Sequence, residues 1–175
     1  MAATGTVGLV VGNPKPQSRT LGLARQIAAA AAGAAGLAGA PTSTVDLAEL
    51  GPQLFDWSSP GVQAAVEVTR SCVLVVVASP TYKASYTGIL KSFLDWFSDT
   101  SLDGVTVVPV MTGGSAHHAL AVEVHLRPVL VELGATVPTR GLYVTEAELP
   151  RADDVIANWL TTAGPLLRQS VTKLL

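Results

Sequence analysis

The run Cys72-Val73-Leu74-Val75-Val76-Val77-Ala78 constrains the fold most, because it is apolar at every position and shows no alternation. A strand with one wet face alternates apolar and polar residues; a strand covered on both faces does not, and parallel sheets flanked by helices impose that condition. The run is far shorter than the roughly 18 to 20 residues of a membrane span. It predicts the central strand of an open α/β sheet.

Four further stretches fit such a sheet: Val7 to Val11, Thr42 to Leu47, Val105 to Met111 and Thr136 to Val144. Between and after them lie helical patterns from about Ser18 through the alanine-rich Ala28 to Ala40, then Val62 to Arg70, Thr87 to Phe97, Ala116 to Leu133 and Pro150 to Leu175. Five strands alternating with helices predict a three-layer α/β domain with a parallel sheet, and 175 residues suit a single domain, taken as 1–175. Two prolines need an explanation. Pro109 removes a ladder donor inside the fourth strand, so it requires a bulge or a strand end there, and Pro128 should kink or end its helix.

The helix over Thr87 to Phe97 spreads Ile89, Leu90, Phe93, Leu94, Trp96 and Phe97 over about 160° of its surface. That is wider than one sheet contact needs, so a subunit interface and deep burial are both open. The segment from Gly51 to Pro60 is expected to be a loop with Phe55 and Trp57 as aromatic anchors.

The loop after the first strand, Gly12 to Thr20 (GNPKPQSRT), leads directly into a helix. A strand-to-helix turn gathers backbone N–H groups and the positive end of a helix dipole, which suits an anion. Ser18 and Thr20 supply hydroxyl groups, and Arg19 can form a charge-assisted contact to phosphate oxygens. No Gly-Lys pair precedes Ser18, which argues against a nucleoside-triphosphate loop. Pro14 and Pro16 stand where a dinucleotide fold would place glycines. A phosphate monoester fits this stretch; an ordinary turn with Ser18 as N-cap is the alternative.

Two more loops follow the third and fourth strands. Ser79 to Gly88 (SPTYKASYTG) is rich in hydroxyl and aromatic groups, and Thr112-Gly113-Gly114-Ser115 offers bare backbone to a flat ligand. Ligands of open α/β sheets sit outside the carboxyl ends of the strands, where all three loops would converge. A ligand with a phosphate tail, a polyol linker and a planar ring would use all of them, as FMN does.

Charge sets the remaining bounds. A net charge of -2, with 14% charged residues and the basic ones scattered, gives no footprint for nucleic acid or an anionic membrane. The amino-terminal stretch lacks a basic region ahead of its apolar residues, so a cytoplasmic location is expected. The single cysteine, Cys72, is expected to be a buried, inert thiol. His117, His118 and His125 lack a matching carboxylate or cysteine cluster, so no metal site is expected. The Glu146/Glu148 pair and Asp153-Asp154 are expected to be solvated charges near a helix start.

At SPTYKASYTGILKSFLD and TGGSAHHALAVEVHLRPVL the sequence resembles the NADPH-dependent FMN reductases of the flavodoxin-like superfamily, most of all the reductases of two-component alkanesulfonate and methanesulfonate monooxygenase systems. The resemblance runs from about Val7 to Tyr143. It implies a five-stranded sheet in the order 2-1-3-4-5, FMN and NADPH as ligands, hydride transfer to flavin nitrogen-5, a homodimer or homotetramer, and a monooxygenase that receives reduced FMN.

By position, Ser18, Arg19 and Thr20 would hold the FMN phosphate, with Asn13 and Gln17 shaping the loop. Pro80, Thr81, Tyr82 and Lys83 would border the ribityl chain and the ring, with Ser85 and Tyr86 as further candidates. Thr112, Gly113, Gly114 and Ser115 would face the pyrimidine end. No catalytic side chain is implied, because the flavin carries the chemistry. Sulfonate-system reductases insert one residue after the TGGS loop to make a π-bulge, and an ungapped match places Val124 and His125 there. A quinone, azo or chromate reductase with resident FMN, and a flavodoxin-type electron carrier, are the alternative functions.

Overall fold

In the computed structural model, which describes residues 5–174, the strand β3 (Leu74–Pro80) is central to a five-stranded sheet. On one side of it lie β1 (Val7–Val11) and then β2 (Thr42–Asp46); on the other lie β4 (Thr106–Gly113) and then β5 (Leu142–Thr145). Every pairing is parallel, so the order is 2-1-3-4-5. The absence of alternation in β3 has its predicted cause. Leu74, Val76 and Ala78 face one apolar layer and Val75 and Val77 the other.

The first layer is built by α1 (Arg19–Ala35) and α6 (Ala152–Leu174). The alanines of α1 allow close approach: Ala24, Ala28, Ala31 and Ala35 are buried, and Arg168 of α6 donates from Nε to the carbonyl of Ala34 at 3.2 Å. Gly36 ends α1 in the left-handed conformation at φ 84°, with the amide of Leu37 returning to the carbonyl of Ala32. The expected last helix is thus α6, with Leu175 outside the described residues.

The second layer holds the short α2 (Leu47–Leu50), α3 (Pro60–Arg70), α4 (Gly88–Leu94) and α5 (Arg127–Glu132). The helix α4 is shorter than its apolar pattern predicts, because Trp96 and Phe97 fall on the turns that follow it. Leu90, Phe93, Leu94 and Phe97 are buried within the chain, each contributing about 1.5 to 3 kcal/mol by burial. Deep burial therefore accounts for most of the wide apolar arc, leaving Ile89 and Trp96 half-buried.

The loop from Gly51 begins as a 3₁₀ turn, Gly51–Phe55, and only part of it anchors. Trp57 packs on Trp96 with ring centroids 4.8 Å apart, and Trp96 donates from Nε1 to the carbonyl of Leu54. Phe55 is 76% exposed, so it does not serve as the expected anchor.

The fifth strand differs most from its prediction. Thr136 bridges Thr106, but β5 starts only at Leu142, and the register with β4 shifts by two residues in between. The amide of Val107 donates to Thr136, so Pro109, two residues on, turns its donorless nitrogen to the same side. Continuing the Thr106–Thr136 register would set Pro138 opposite Val108, and Pro138 also has no donor, so the ladder breaks there. Side chains take over the backbone groups: Arg127 donates to the carbonyls of Val137 at 2.7 Å and Thr139 at 2.6 Å, while Glu123 accepts from the amide of Gly141. Pro109 sits opposite a bulge, as its position requires.

Ahead of α5 the expected continuous helix is broken. A 3₁₀ turn at Ala116–His118 is followed by a π-helical turn, Val122–Leu126, at the Val124/His125 position of the anticipated insertion. Pro128 follows directly after the π-helical turn, where α5 begins.

Candidate functional site

Three loops leave the carboxyl ends of the adjacent strands β1, β3 and β4. Around the first lies a cavity of about 430 Å³. Asn13, Gln17, Ser18, Arg19, Thr20, Pro80, Tyr82 and Thr112 line it, together with Lys15, Pro16, Glu146 and Leu149. β1 is flanked by β2 on one side and β3 on the other, and their connections lie on opposite faces. The cavity therefore sits at the point where the winding of the sheet reverses.

Local chemistry builds the loop. Gly12 passes so close to α4 that a Cβ there would lie 2.5 Å from that of Leu90. Its carbonyl accepts from the Thr87 hydroxyl at 2.5 Å, and Thr87 also caps α4 by accepting from the amide of Leu90. Ser79 accepts from the amide of Thr87, so one threonine ties the first loop, the second loop and a helix start together. Sequence reasoning did not single out Thr87; its only signal was a hydroxyl immediately before a helical pattern.

Asn13 folds the loop back, donating from Nδ2 to Thr20 at 3.1 Å and accepting from the amide of Lys15 at 2.9 Å. Gln17 adopts φ 52°, a left-handed conformation uncommon outside glycine, and delivers Ser18 to the start of α1. Ser18 is the N-cap and accepts from the amide of Leu21 at 3.1 Å, so the N-cap alternative is correct as far as it goes. The first turn of α1 carries no acidic residue, and Lys15 and Arg19 leave the cavity wall cationic on that side.

The structure separates the TGGS residues. Thr112 stands on the side of the first loop, with its hydroxyl 3.4 Å from that of Thr20. Gly113, Gly114 and Ser115 lie beyond it and do not line the cavity. The Tyr143 hydroxyl donates to the carbonyl of Ser115 at 2.9 Å, and the Gly113 carbonyl accepts from the amide of Glu146 at 2.8 Å. Ser115 in turn caps the 3₁₀ turn by accepting from the amide of His117.

In the second loop, Lys83 and Ala84 form a two-residue turn with φ 51° and 66°, closed by reciprocal amide-to-carbonyl bonds between Tyr82 and Ser85. Two non-glycine residues in left-handed backbone store strain. The turn holds Tyr82, 48% exposed, at the cavity wall and leaves Lys83 in solvent; Ser85 and Tyr86 are half-buried behind it. Thr81 donates its amide to Thr112 at 2.6 Å, while its buried hydroxyl oxygen has no partner.

The Glu146/Glu148 pair is more than solvated charge. Glu148 accepts from both the amide and the hydroxyl of Thr145, and the hydroxyl bond foremost holds its carboxyl below the usual range. Glu146 lines the cavity and pairs with Arg19 at 3.0 Å across a sequence gap of 127 residues. A glutamate after a β5 that is itself hard to delimit offered no sequence signal. Cys72 is buried as expected, its thiol pushed up to about 11 chiefly by desolvation. His117, His118 and His125 are exposed; the first two share the 3₁₀ turn and His125 lies on the π-helical turn.

This sheet order, with its cavity at the switch point and hydroxyl-rich loop on a helix start, defines a flavodoxin-like architecture. The model of one family, NADPH-dependent FMN reductase, matches residues 6–148, and the chain belongs to that family. Among relatives, an FMN reductase (NADPH) of Escherichia coli K12 is 36% identical over 93 residues, covering 53% of this chain and 49% of the relative. The NADH-dependent FMN reductase SfnF of Pseudomonas putida is 39% identical over 90 residues, 51% of this chain and 48% of the relative. These matches span about half the length of those curated relatives. Among solved structures, an apo NADH:FMN oxidoreductase (EMOB) superposes with a TM-score of 0.80 at 28% identity, over 98% of this chain and 88% of that one. An oxidoreductase from Corynebacterium diphtheriae gives 0.82 at 27% identity, over 97% and 98%.

Proposed function

We propose that this chain is an NAD(P)H-dependent FMN reductase: a single cytoplasmic domain, assembled as a homodimer or homotetramer, that reduces FMN and supplies it to a partner flavin-dependent monooxygenase. One observation carries the reading. The cavity at the switch point is walled by Asn13, Ser18, Arg19, Thr20 and Thr112, a set of hydroxyl, amide and guanidinium groups at the positive end of a helix. Family membership and relatives named as FMN reductases support it.

The residues present fit FMN. Asn13, Ser18, Thr20 and Thr112 give the cavity wall the amide and hydroxyl groups that a phosphate and a polyol chain need. Space is free where a Cβ on Gly114 would stand, so its backbone can approach a flat ring. In this reading Ser18, Arg19 and Thr20 hold the phosphate, and Asn13 and Gln17 set the loop that presents them. Pro80, Thr81, Tyr82 and Lys83 flank the chain and ring, with Ser85 closing the turn behind Tyr82. Gly113, Gly114 and Ser115 present backbone to the pyrimidine end, and Thr112 joins the phosphate side through Thr20.

Bound FMN supplies the redox chemistry, taking up hydride from a reduced nicotinamide. The protein orients the two ligands and stabilises developing negative charge with fixed backbone dipoles, so no side-chain acid or base is assigned. The test follows oxidation of NADPH, and separately of NADH, while FMN is titrated from none to excess. A rate that rises from near zero and saturates with added FMN is expected. A flavin-independent rate that needs a quinone or dye would replace this reading with a resident-flavin reductase, and no oxidation at any FMN concentration would leave an electron carrier.

A further inference from the structure

The phosphate cradle contains an anion of the protein's own. Glu146 lines the same cavity as Ser18, Arg19 and Thr20, and its Oε1 accepts from Arg19 Nη2 at 3.0 Å. Its position does not depend on that bond. The amide of Glu146 is anchored to Gly113, and the turn that carries it is closed by Glu148 on the amide and hydroxyl of Thr145. A phosphate arriving at the cradle therefore meets a guanidinium already paired with a carboxylate whose backbone is held at the cavity wall.

We propose that Glu146 sets the affinity of the site by competing with the ligand's phosphate for Arg19, so that a phosphorylated flavin is held loosely and leaves readily. The inference rests on the FMN reading above. Two effects act in the same direction. Arg19 must share or exchange its partner, and a phosphate monoester with close to two negative charges at neutral pH is repelled by the nearby carboxylate. Both partners are well exposed, 71% and 54% for the Arg19 and Glu146 side chains, so the pair itself is weak and can be displaced. Exposure also makes the effect sensitive to salt.

The experiment compares the full chain with its Glu146→Gln variant, titrating FMN and riboflavin separately by quenching of flavin fluorescence, at low and at high salt. Glutamine keeps the size of the side chain and removes its charge. The expected result is a Kd for FMN lowered by roughly three- to tenfold at low salt, an unchanged Kd for riboflavin, which has no phosphate, and a difference that shrinks at high salt. An unchanged or weaker affinity for FMN, or an equal gain for riboflavin, overturns the role of Glu146 while leaving the FMN reading intact. Failure of both proteins to bind either flavin, or a Glu146→Gln variant that still binds FMN no better than riboflavin, overturns both. Matching thermal unfolding of the two ligand-free proteins confirms that the variant is folded.

Discussion

The Tyr143 hydroxyl fills the space beside Gly113: a Cβ built on that glycine would lie 2.0 Å from the phenol oxygen. The same hydroxyl donates to the carbonyl of Ser115, so one tyrosine on β5 both forbids a side chain at the end of β4 and fixes the loop that follows. Gly113→Ala should force the two elements apart, destabilising the fold by about 1 to 3 kcal/mol and weakening FMN binding. Urea unfolding and flavin titration of the same preparation check both effects.

Ser18 serves as N-cap and, in the proposed reading, as a phosphate ligand, and these roles separate by substitution. Ser18→Ala should cost about 1 kcal/mol of stability through the lost cap. Ser18→Asp restores a good N-cap and complements the helix dipole, so stability should stay close to wild type, yet its charge should repel phosphate and raise the Kd for FMN by about tenfold or more. An Asp variant that binds FMN normally would leave Ser18 as a cap alone.

Arg127 holds the carbonyls of Thr139 and Val137, at 2.6 and 2.7 Å, in the segment where the β4–β5 ladder is broken. Arg127→Ala should destabilise the protein by about 2 to 3 kcal/mol, because hydrogen bonds from a charged donor are the strong ones. Amide hydrogen exchange should rise first in the segment over 137–141, ahead of the rest of the sheet. Uniform exchange across all five strands would contradict this local role.

Cys72 keeps its proton up to about pH 11, because burial raises its thiol from the ordinary 9.0. The unfolded chain loses that proton first. Stability attributable to Cys72 should therefore be constant below about pH 9 and fall as pH rises through about 11, and Cys72→Ala should flatten that decline. Native protein should resist a thiol reagent at neutral pH and react once unfolded.

The strand pattern was legible because parallel strands covered on both faces write unbroken apolar runs, as in Leu74 to Ala78 and Val7 to Val11. The strand-to-helix turn that carries Ser18, Arg19 and Thr20 was legible because an apolar run ends at Gly12 and Ser18 is a good N-cap ahead of a helical pattern. The last strand was misjudged in extent because Thr136 to Val144 carries the right residue types, while its backbone groups are taken by Arg127 and Glu123. Glu146 is solvated as expected, and only its pairing was hidden, because its partner, Arg19, lies 127 positions earlier.

The sequence by itself therefore determined what each short segment could do: the layers, the strand order through its family likeness, and the anion-seeking loop. These follow from period, propensity and local chemistry, which act over a few residues. Only the tertiary structure decided which distant groups meet, namely Glu146 on Arg19, Tyr143 on Ser115, and Thr87 on Gly12. Such contacts depend on how strands far apart in the chain lie side by side in the sheet, and no local pattern encodes that geometry.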